Sequence, residues 1–176
     1  MDITLNYDDA YDFYRRYIYQ PDLFEELRLY NFNVSGTVHP TYWEMFCSKL
    51  TGRRGRDGYG ADLDGFEVKS AKEGSNFEYQ YHLNTGLDKL YDDCKISHLY
   101  CSYSQDYSRV TVFKLEPSQV SDTFMTWMPL YQENYSIKDP KQRKQRFRRS
   151  MSYRFVVSNG TLILEIVDGE LQYTSG

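Results

Sequence analysis

The stretch GRRGRDGYGADLDGFEVKSA, residues 52–71, carries the strongest structural pattern in this chain. Its second half alternates apolar and polar residues as a β-strand does, and DLDG at 62–65 has the composition of a tight turn. Together they predict a β-hairpin. Side chains on one face of a strand recur at every second residue, so Asp57 is expected roughly across from Lys69, with Glu67 one pleat away.

Two carboxylates this close repel each other and are stable together only with a cation or a proton between them. Oxygen ligands suit Mg²⁺, which keeps several waters and binds one or two carboxylates plus a phosphate. We therefore predict a metal site held by Asp57 and Glu67, with the backbone carbonyl of Val68 as a further ligand. Lys69 is predicted to orient or deprotonate the attacking water, or to offset charge in the transition state.

Two alternatives stay open for this stretch. Ionisable residues on a hairpin are often simply solvated, and an Asp–Lys cross-strand pair contributes only about 0.2–1 kcal/mol. Asp62 and Asp64 are rivals to Asp57 as the metal-binding carboxylate. The interval from Asp62 to Glu67 is too short to cross a hairpin and return in register, so we interpret Asp62 and Asp64 as turn residues.

The rest of the chain predicts helices and strands in alternating groups. Helices are predicted at 7–20, 21–30, 41–52, 85–95 and 117–132, and strands at 66–71, 77–84, 96–104 and 109–117. The third helix is expected to be capped by Thr41 and stopped by Gly52, and a C-terminal hairpin is expected to turn at Asn159 and Gly160. This order predicts an α/β or α+β fold with a central mixed β-sheet flanked by helices.

Composition and charge favour one domain with a polyanionic partner. The 176 residues include 18 tyrosines, which suit wet recognition surfaces, and the net charge is −4. The charge is unevenly distributed: residues 141–154 are rich in Lys and Arg and contain no acid. A run this basic in an acidic chain predicts contact with a polyanion, although a charged run is also typical of a solvated surface.

The sequence predicts a cytoplasmic protein without a membrane segment. No run of 18 apolar residues is present, and the N-terminus lacks the apolar core of a signal peptide. Cys47, Cys94 and Cys101 have no metal-ligand spacing and are expected to be free thiols in a reducing cytosol.

If the polyanion is DNA, two segments are predicted to contact it. Major-groove recognition needs donors and acceptors on an element that enters the groove, and the segment after the acidic strand supplies them. These residues are Ser75, Asn76, Glu78, Gln80, Tyr81, His82 and Asn84. The alternative is an ordinary half-exposed strand. The basic segment is predicted to contact phosphates through Lys141, Arg143, Lys144, Arg146, Arg148 and Arg149.

The spacing of Asp57, Glu67 and Lys69 resembles the PD-(D/E)XK nuclease superfamily, although Arg56 replaces the usual Pro. The whole stretch resembles, without a gap, the active-site hairpin of PvuII-type restriction endonucleases. YQYHLN, HLYCSYS and VFKLEPSQV follow in the same order, so the resemblance covers roughly residues 51–120.

This resemblance implies a restriction-endonuclease-like fold and a type II restriction endonuclease from the cytoplasm of a prokaryotic cell. Such an enzyme is a homodimer that cuts double-stranded DNA at a short palindrome with Mg²⁺, for which Mn²⁺ can substitute. It is functionally paired with a DNA methyltransferase.

The departures from the family concern recognition more than cutting. A run of histidines that reads bases in the family corresponds here to residues 80–82, where only His82 matches. The Asn-Asn pair that contacts the central bases is replaced by Lys138 and Asp139, so a different target sequence is expected. The family's earlier Asp has no clear counterpart. Glu44 is the best candidate for this auxiliary carboxylate, with helix capping as its alternative role.

We predict one nuclease domain over residues 1–176. Within it, 1–50 is a helical region involved in dimerisation, 52–115 is the catalytic core, and 136–176 holds the DNA-contacting basic segment and the C-terminal hairpin. One alternative is a DNA repair nuclease or junction resolvase of the same fold, and another is a non-catalytic DNA-binding module. The intact Asp, Glu and Lys set favours an enzyme.

Overall fold

The computed structural model describes residues 3–175, which form a mixed α+β fold. The helices are α1 Tyr7–Phe13, α2 Pro21–Leu29, α3 Pro40–Thr51, α4 Gly86–Asp93, α5 Pro117–Ser136 and α6 Tyr153–Asn159. A π-helical turn, Tyr14–Ile18, continues α1. The strands are β1 Phe66–Lys72, β2 Phe77–Tyr81, β3 Ser97–Tyr103, β4 Val110–Leu115, β5 Phe147–Met151, β6 Thr161–Val167 and β7 Glu170–Thr174.

Five strands form one mixed sheet in the order β1-β3-β4-β6-β7. β1 pairs parallel with β3, and every other pair in this sheet is antiparallel. The two remaining strands, β2 and β5, form a separate antiparallel pair. The prediction of a mixed sheet flanked by helices is confirmed. Because β1 is an edge strand, one side of its backbone is open to groups from outside the sheet.

Each face of the sheet is covered by its own hydrophobic core. On one face, α1 to α3 pack residues such as Trp43 against Val68 of β1. On the other face, α4 to α6 and the small sheet enclose Phe124 and Tyr100. Since side chains alternate along a strand, Val68 enters the first core and its two neighbours in β1 project toward the second.

Helix α3 confirms the predicted helix and its stop, but the predicted cap is wrong. The N-cap is His39, whose Nδ1 accepts a hydrogen bond from the backbone N–H of Thr41 at 3.3 Å. Gly52 ends the helix with φ +67°, a conformation that favours glycine. With the cap at His39, Glu44 lies beyond the capping position and is free to serve another purpose.

The C-terminal region contains a hairpin, but its turn lies later than predicted. Residues 153–159 form α6 rather than a strand, because Ser152 caps the helix by accepting a hydrogen bond from the N–H of Phe155. The hairpin joins β6 to β7 through Asp168 and Gly169, which have φ of +52° and +78°. Two positive φ values are typical of the tight turns that connect antiparallel strands.

Two further properties bear on the predictions made above. None of the helices within residues 3–175 is long and apolar enough to cross a membrane. Cys47, Cys94 and Cys101 are free thiols.

Candidate active site

Ionisable side chains gather at the β1 edge of the large sheet. We call this group the acidic cluster, and its members are Glu44, Asp62, Glu67, Lys69, Lys89 and Asp93. They come from α3, the loop before β1, β1 itself and α4. The cluster therefore depends on the tertiary fold, which brings four separate segments to one edge.

Glu67 lies at the centre of the acidic cluster, and only 1% of its side chain is exposed. Its Oε1 accepts a hydrogen bond from Nζ of Lys69 at 2.6 Å and another from Nζ of Lys89 at 2.9 Å. Burial alone would raise the pKa of Glu67, but the two ammonium groups outweigh burial and hold the pKa below its usual value. Glu67 is therefore a buried anion at neutral pH.

Asp62 lies beside Glu67 at the open edge of β1. Its Oδ2 accepts a hydrogen bond from the backbone N–H of Val68 at 2.9 Å, which satisfies a donor of the edge strand. Burial, and then the negative charge of Glu67, raise the pKa of Asp62 above its usual value. The charge of Glu67 thus destabilises the ionised form of Asp62 at this edge, and a cation between the two carboxylates would relieve this repulsion.

The predicted pairing of Asp57 with Lys69 is wrong. Lys69 pairs with Tyr100 of β3, and Asp57 lies in an exposed loop. Among the described residues, no hydrogen bond or ion pair joins Asp57 to Glu67 or Lys69.

The irregular course of residues 55–66 explains this difference. Gly55 and Phe66 each form a β-bridge to Leu63, and the N–H of Arg56 donates to the carbonyl of Asp62 at 3.1 Å. The chain therefore folds back on itself before β1 begins, instead of forming a long hairpin. Leu63 is buried, and this places Asp62 next to Val68. The interpretation of Asp62 as only a turn residue is wrong as well.

Asp64 is an exposed turn residue, as predicted, and forms a long ion pair with Arg53 at 3.8 Å.

Glu44 joins the acidic cluster from α3, on the other side of β1. It is half-buried, and burial followed by the charge of Asp62 raises its pKa. The charge of Lys69 lowers the pKa of Glu44, and that of Glu67 raises it, so both ionisable side chains of β1 lie within electrostatic range of Glu44. Glu44 therefore lies within electrostatic range of Asp62 and Lys69, and its role as an auxiliary carboxylate stays a prediction.

A buried polar network of α4 and β2 residues is hydrogen-bonded to the acidic cluster. Lys89 also donates to Oδ1 of Asp93 at 3.1 Å, and the hydroxyl of Tyr81 donates to Oδ2 of Asp93 at 2.7 Å. Burial, and then the charge of Glu67, raise the pKa of Asp93 to about 6. Tyr81 was predicted to contact DNA, but it is fully buried because it shares its strand face with Phe77. This prediction is wrong.

The network continues through a histidine whose tautomer follows from its partners. Nε2 of His98 lies 2.8 Å from the backbone carbonyl of Asp93, which can only accept, so Nε2 carries the proton. The neutral ring then accepts at Nδ1 from the hydroxyl of Tyr79 at 2.8 Å, and Tyr79 accepts in turn from Tyr100 at 2.8 Å. Burial lowers the pKa of His98 to about 4, consistent with a neutral ring.

The donor set of the acidic cluster fits a hard divalent cation. Four carboxylates and two ammonium groups leave a net charge of −2 when all are ionised, and Oε2 of Glu67 is buried without a hydrogen-bond partner. Within residues 3–175, no group of three or more His, Cys, Asp and Glu side chains is arranged to hold a metal ion. Mg²⁺ requires fewer protein ligands, because water and a substrate phosphate fill its remaining positions. Asp62 and Glu67 supply two carboxylates.

The strand predicted to recognise bases pairs with the strand predicted to contact phosphates. In the β2–β5 sheet, Gln80 lies opposite Arg148, and Glu78 lies opposite Ser150. Glu78 accepts from Gln80 at 2.7 Å and lies 3.8 Å from Arg148. These side chains form one polar face on the outside of the small sheet. Arg149 points the other way, since it lies opposite the buried Tyr79.

The other predicted contact residues lie in loops at the two ends of this sheet. Ser75 and Asn76 are exposed, and Oδ1 of Asn76 accepts from the N–H of Tyr153 at 3.1 Å, which also gives Asn76 a structural role. The loop after α5 carries the exposed residues Lys138, Asp139, Lys141, Lys144 and Arg146. The guanidinium group of Arg143 instead lies 5.9 Å from the ring centroid of Tyr135.

A groove of about 430 Å³ lies among these loops. Its polar lining includes Tyr59, His82, Asn84, Thr85, Arg143 and Gln145. Two of the lining residues are close in the chain to members of the acidic cluster: Tyr59 precedes Asp62 by three residues, and the carbonyl of Thr85 accepts from the N–H of Lys89. Sequence reasoning missed Tyr59 and Gln145, although a Tyr between two glycines is a recognisable signal. In the structure, Tyr59 is 82% exposed.

The sequence matches none of the protein-family models and none of the curated proteins with which it was compared. The functional conclusion therefore rests on the geometry of the acidic cluster and of the surface around it.

Proposed function

We propose that this protein is a Mg²⁺-dependent DNA endonuclease with a restriction-endonuclease-like fold. The observation that carries the proposal is the arrangement of Asp62, Glu67 and Lys69 around one edge strand. Burial and the charge of Glu67 raise the pKa of Asp62, and Oε2 of Glu67 is buried without a hydrogen-bond partner. Nζ of Lys69 lies 2.6 Å from Oε1 of Glu67. A buried set of this kind contributes little to stability by itself and is typical of catalytic sites.

Each member of this set has a role in phosphodiester hydrolysis. Asp62 and Glu67 would hold the metal, and the carbonyl of Val68 remains the further ligand that the strand pattern predicts. When bound, Mg²⁺ polarises the scissile phosphate and lowers the pKa of its water. Lys69 is 20% exposed, so its ammonium group can reach a water or a phosphate oxygen beside the strand. It would orient the attacking water or stabilise charge in the transition state.

The proposal assigns the metal site to Asp62 instead of Asp57. The gapless resemblance selected Asp57 by its interval to Glu67, whereas burial and the hydrogen bond to Val68 favour Asp62. Glu44 remains an auxiliary carboxylate, since its pKa responds to the charge of Asp62.

We further propose cleavage at a specific short palindrome, as in a type II restriction endonuclease with a partner methyltransferase. The polar face of the β2–β5 sheet and the adjoining groove offer amide, imidazole and guanidinium groups that can contact base edges. The exposed basic loop after α5 supplies phosphate contacts.

A homodimer would match the two-fold symmetry of a palindrome. Exposed apolar side chains at the C-terminal end of α2 and just after it favour the N-terminal region as the dimer interface. Leu29, Tyr30 and Phe32 are 75%, 71% and 64% exposed, respectively. Burial of such a patch is a usual driving force for association.

The direct test digests a sequenced, unmethylated phage DNA with the purified protein and Mg²⁺, with an EDTA digest as the control. We expect discrete fragments whose sequenced ends share one short palindrome. Cleavage only at branched or damaged DNA would favour a junction resolvase or repair nuclease. Binding without any cleavage, in Mg²⁺ or Mn²⁺, would favour a DNA-binding module and contradict the proposal.

A further inference from the structure

Two lysines converge on the same oxygen of Glu67, and the function proposed above uses only one of them. Lys69 lies on β1, whereas Lys89 reaches the same Oε1 from α4, at 2.9 Å. The side chain of Lys89 is 22% exposed, and Asp93 holds it from one helical turn below at 3.1 Å. The ammonium group of Lys89 therefore bridges two carboxylates, Glu67 on one side and Asp93 on the other.

The distribution of these contacts is uneven for a purely structural ion pair. Both ammonium groups bind Oε1, while Oε2 is buried and has no partner. A buried carboxylate usually has both oxygens satisfied, because an unpaired one loses its hydration without compensation. Both ammonium groups that neutralise Glu67 therefore contact Oε1, and Oε2 is left without a hydrogen-bond partner.

We propose that Lys89 is a positioning residue that acts as the resident counter-charge of the acidic cluster. It holds Glu67 in place while no divalent cation is bound, and it competes with a divalent cation for that carboxylate. This inference rests on the proposed metal site at Asp62 and Glu67. Asp93 and Tyr81 complete the device, because they retain the Lys89 ammonium group beside α4 when a cation takes over its contact with Glu67.

The proposal predicts that loss of the Lys89 charge increases the affinity for a divalent cation, whereas a substitution that only disrupts the fold would decrease it. Replacing Lys89 with Met removes one positive charge that repels a cation at Glu67, so the affinity for Mn²⁺ should rise by about tenfold or more. Lys89→Arg keeps the charge and should keep the affinity of the wild type. A residue that only stabilised the fold would leave the affinity unchanged or reduce it when replaced.

Lys95→Met is the matched control. Lys95 lies two residues beyond the end of α4, and its ion pair with Asp92 is long, at 3.8 Å, and exposed. This substitution makes the same change in net charge without touching the acidic cluster. It should leave the Mn²⁺ affinity within about twofold of the wild type, since exposed charges are screened by salt.

The experiment measures Mn²⁺ binding by electron paramagnetic resonance of the free ion, in the absence of DNA. Near-UV circular dichroism confirms folding of each variant, and Lys89→Gln serves as a second neutral variant if Lys89→Met does not fold. Tighter binding in the neutral variants, but not in Lys89→Arg or Lys95→Met, is the expected result. Equal or weaker binding in the neutral variants, or no binding in any variant, would overturn the inference.

The readout separates this inference from the proposed function. If the neutral variants bind Mn²⁺ more tightly but the wild type never cuts DNA, the counter-charge role stands and the nuclease proposal fails. If the wild type cuts DNA with Mg²⁺ but the substitutions leave Mn²⁺ affinity unchanged, the nuclease proposal stands and the role of Lys89 is refuted.

Discussion

Replacing Asp62 with Asn tests whether Asp62, rather than another carboxylate of the same loop, takes part in catalysis. The substitution keeps an oxygen that can accept the 2.9 Å hydrogen bond from Val68, so the edge of β1 should remain intact. It removes a negative charge that burial and Glu67 already disfavour. The free energy of unfolding should therefore change by less than about 1 kcal/mol, or increase slightly.

The effect on cleavage should be large. A unit charge acting over about 4 Å in a site of intermediate polarity contributes about 4 kcal/mol, and each 1.36 kcal/mol is about tenfold in rate. Asp62→Asn should thus reduce the rate of Mg²⁺-dependent cleavage by about a thousandfold. Asp57→Asn is the control, because Asp57 is exposed in the same loop. It should change the rate by no more than about twofold, since substitutions at such exposed positions have small effects.

Single-turnover cleavage of a plasmid by the wild type and both variants provides the measurement, with urea denaturation as the check on folding. A strong loss of cleavage in Asp57→Asn with little effect in Asp62→Asn would refute the assignment. It would also indicate that the loop of residues 55–65 rearranges on binding DNA.

The basic loop, the groove and the buried polar network give further predictions. A double variant with Gln at positions 146 and 148, in place of Arg146 and Arg148, should bind every DNA sequence more weakly. Its slope of log affinity against log salt concentration should be smaller by about two, and an unchanged slope would exclude phosphate contacts. Asn84→Ala should relax recognition at one base position by about 1–3 kcal/mol in cleavage of a library of altered sites, whereas an equal loss at all sites would indicate a backbone contact. His98 has a pKa of about 4, below the 6.5 of an unfolded chain, so the unfolded state binds more protons between these values and stability is lost as the pH falls. That loss amounts to about 3 kcal/mol by pH 4, partly offset by the raised pKa of Asp93; urea denaturation of a His98→Gln variant should show a weaker pH dependence, and an unchanged dependence would contradict the neutral buried ring.

The sequence was informative where local pattern decides structure. The alternation of FEVKSA predicted β1, and Gly52 marked the end of α3 at the residue where the chain adopts a positive φ. Glu67 and Lys69 share one strand face, which is a weak signal by itself, and the resemblance to the PD-(D/E)XK pattern is what singled them out. Tyr81 was misassigned although the signal was present, since it shares its parity with the buried aromatic residues of β2.

The remaining errors come from tertiary contacts that no local pattern contains. Asp57 and Asp62 both precede the strand, and only the bridges of Leu63 decide which of them lies beside Val68. Lys89 belongs to the cluster because its side chain reaches from α4 to Glu67 of β1, more than one element away in the chain. Such a residue looks in the sequence like any solvated lysine of a short helix.

The Lys69→Ala variant offers the most direct test of the proposed cutting centre. Cleavage of site-containing DNA with Mg²⁺ and binding of the same DNA with Ca²⁺ should be measured on one preparation, beside the wild type. We predict that binding persists within a few-fold while cleavage falls by at least about a hundredfold, as expected for loss of a group that acts in the transition state. Cleavage by Lys69→Ala at the rate of the wild type would contradict the assignment of this site as the catalytic centre.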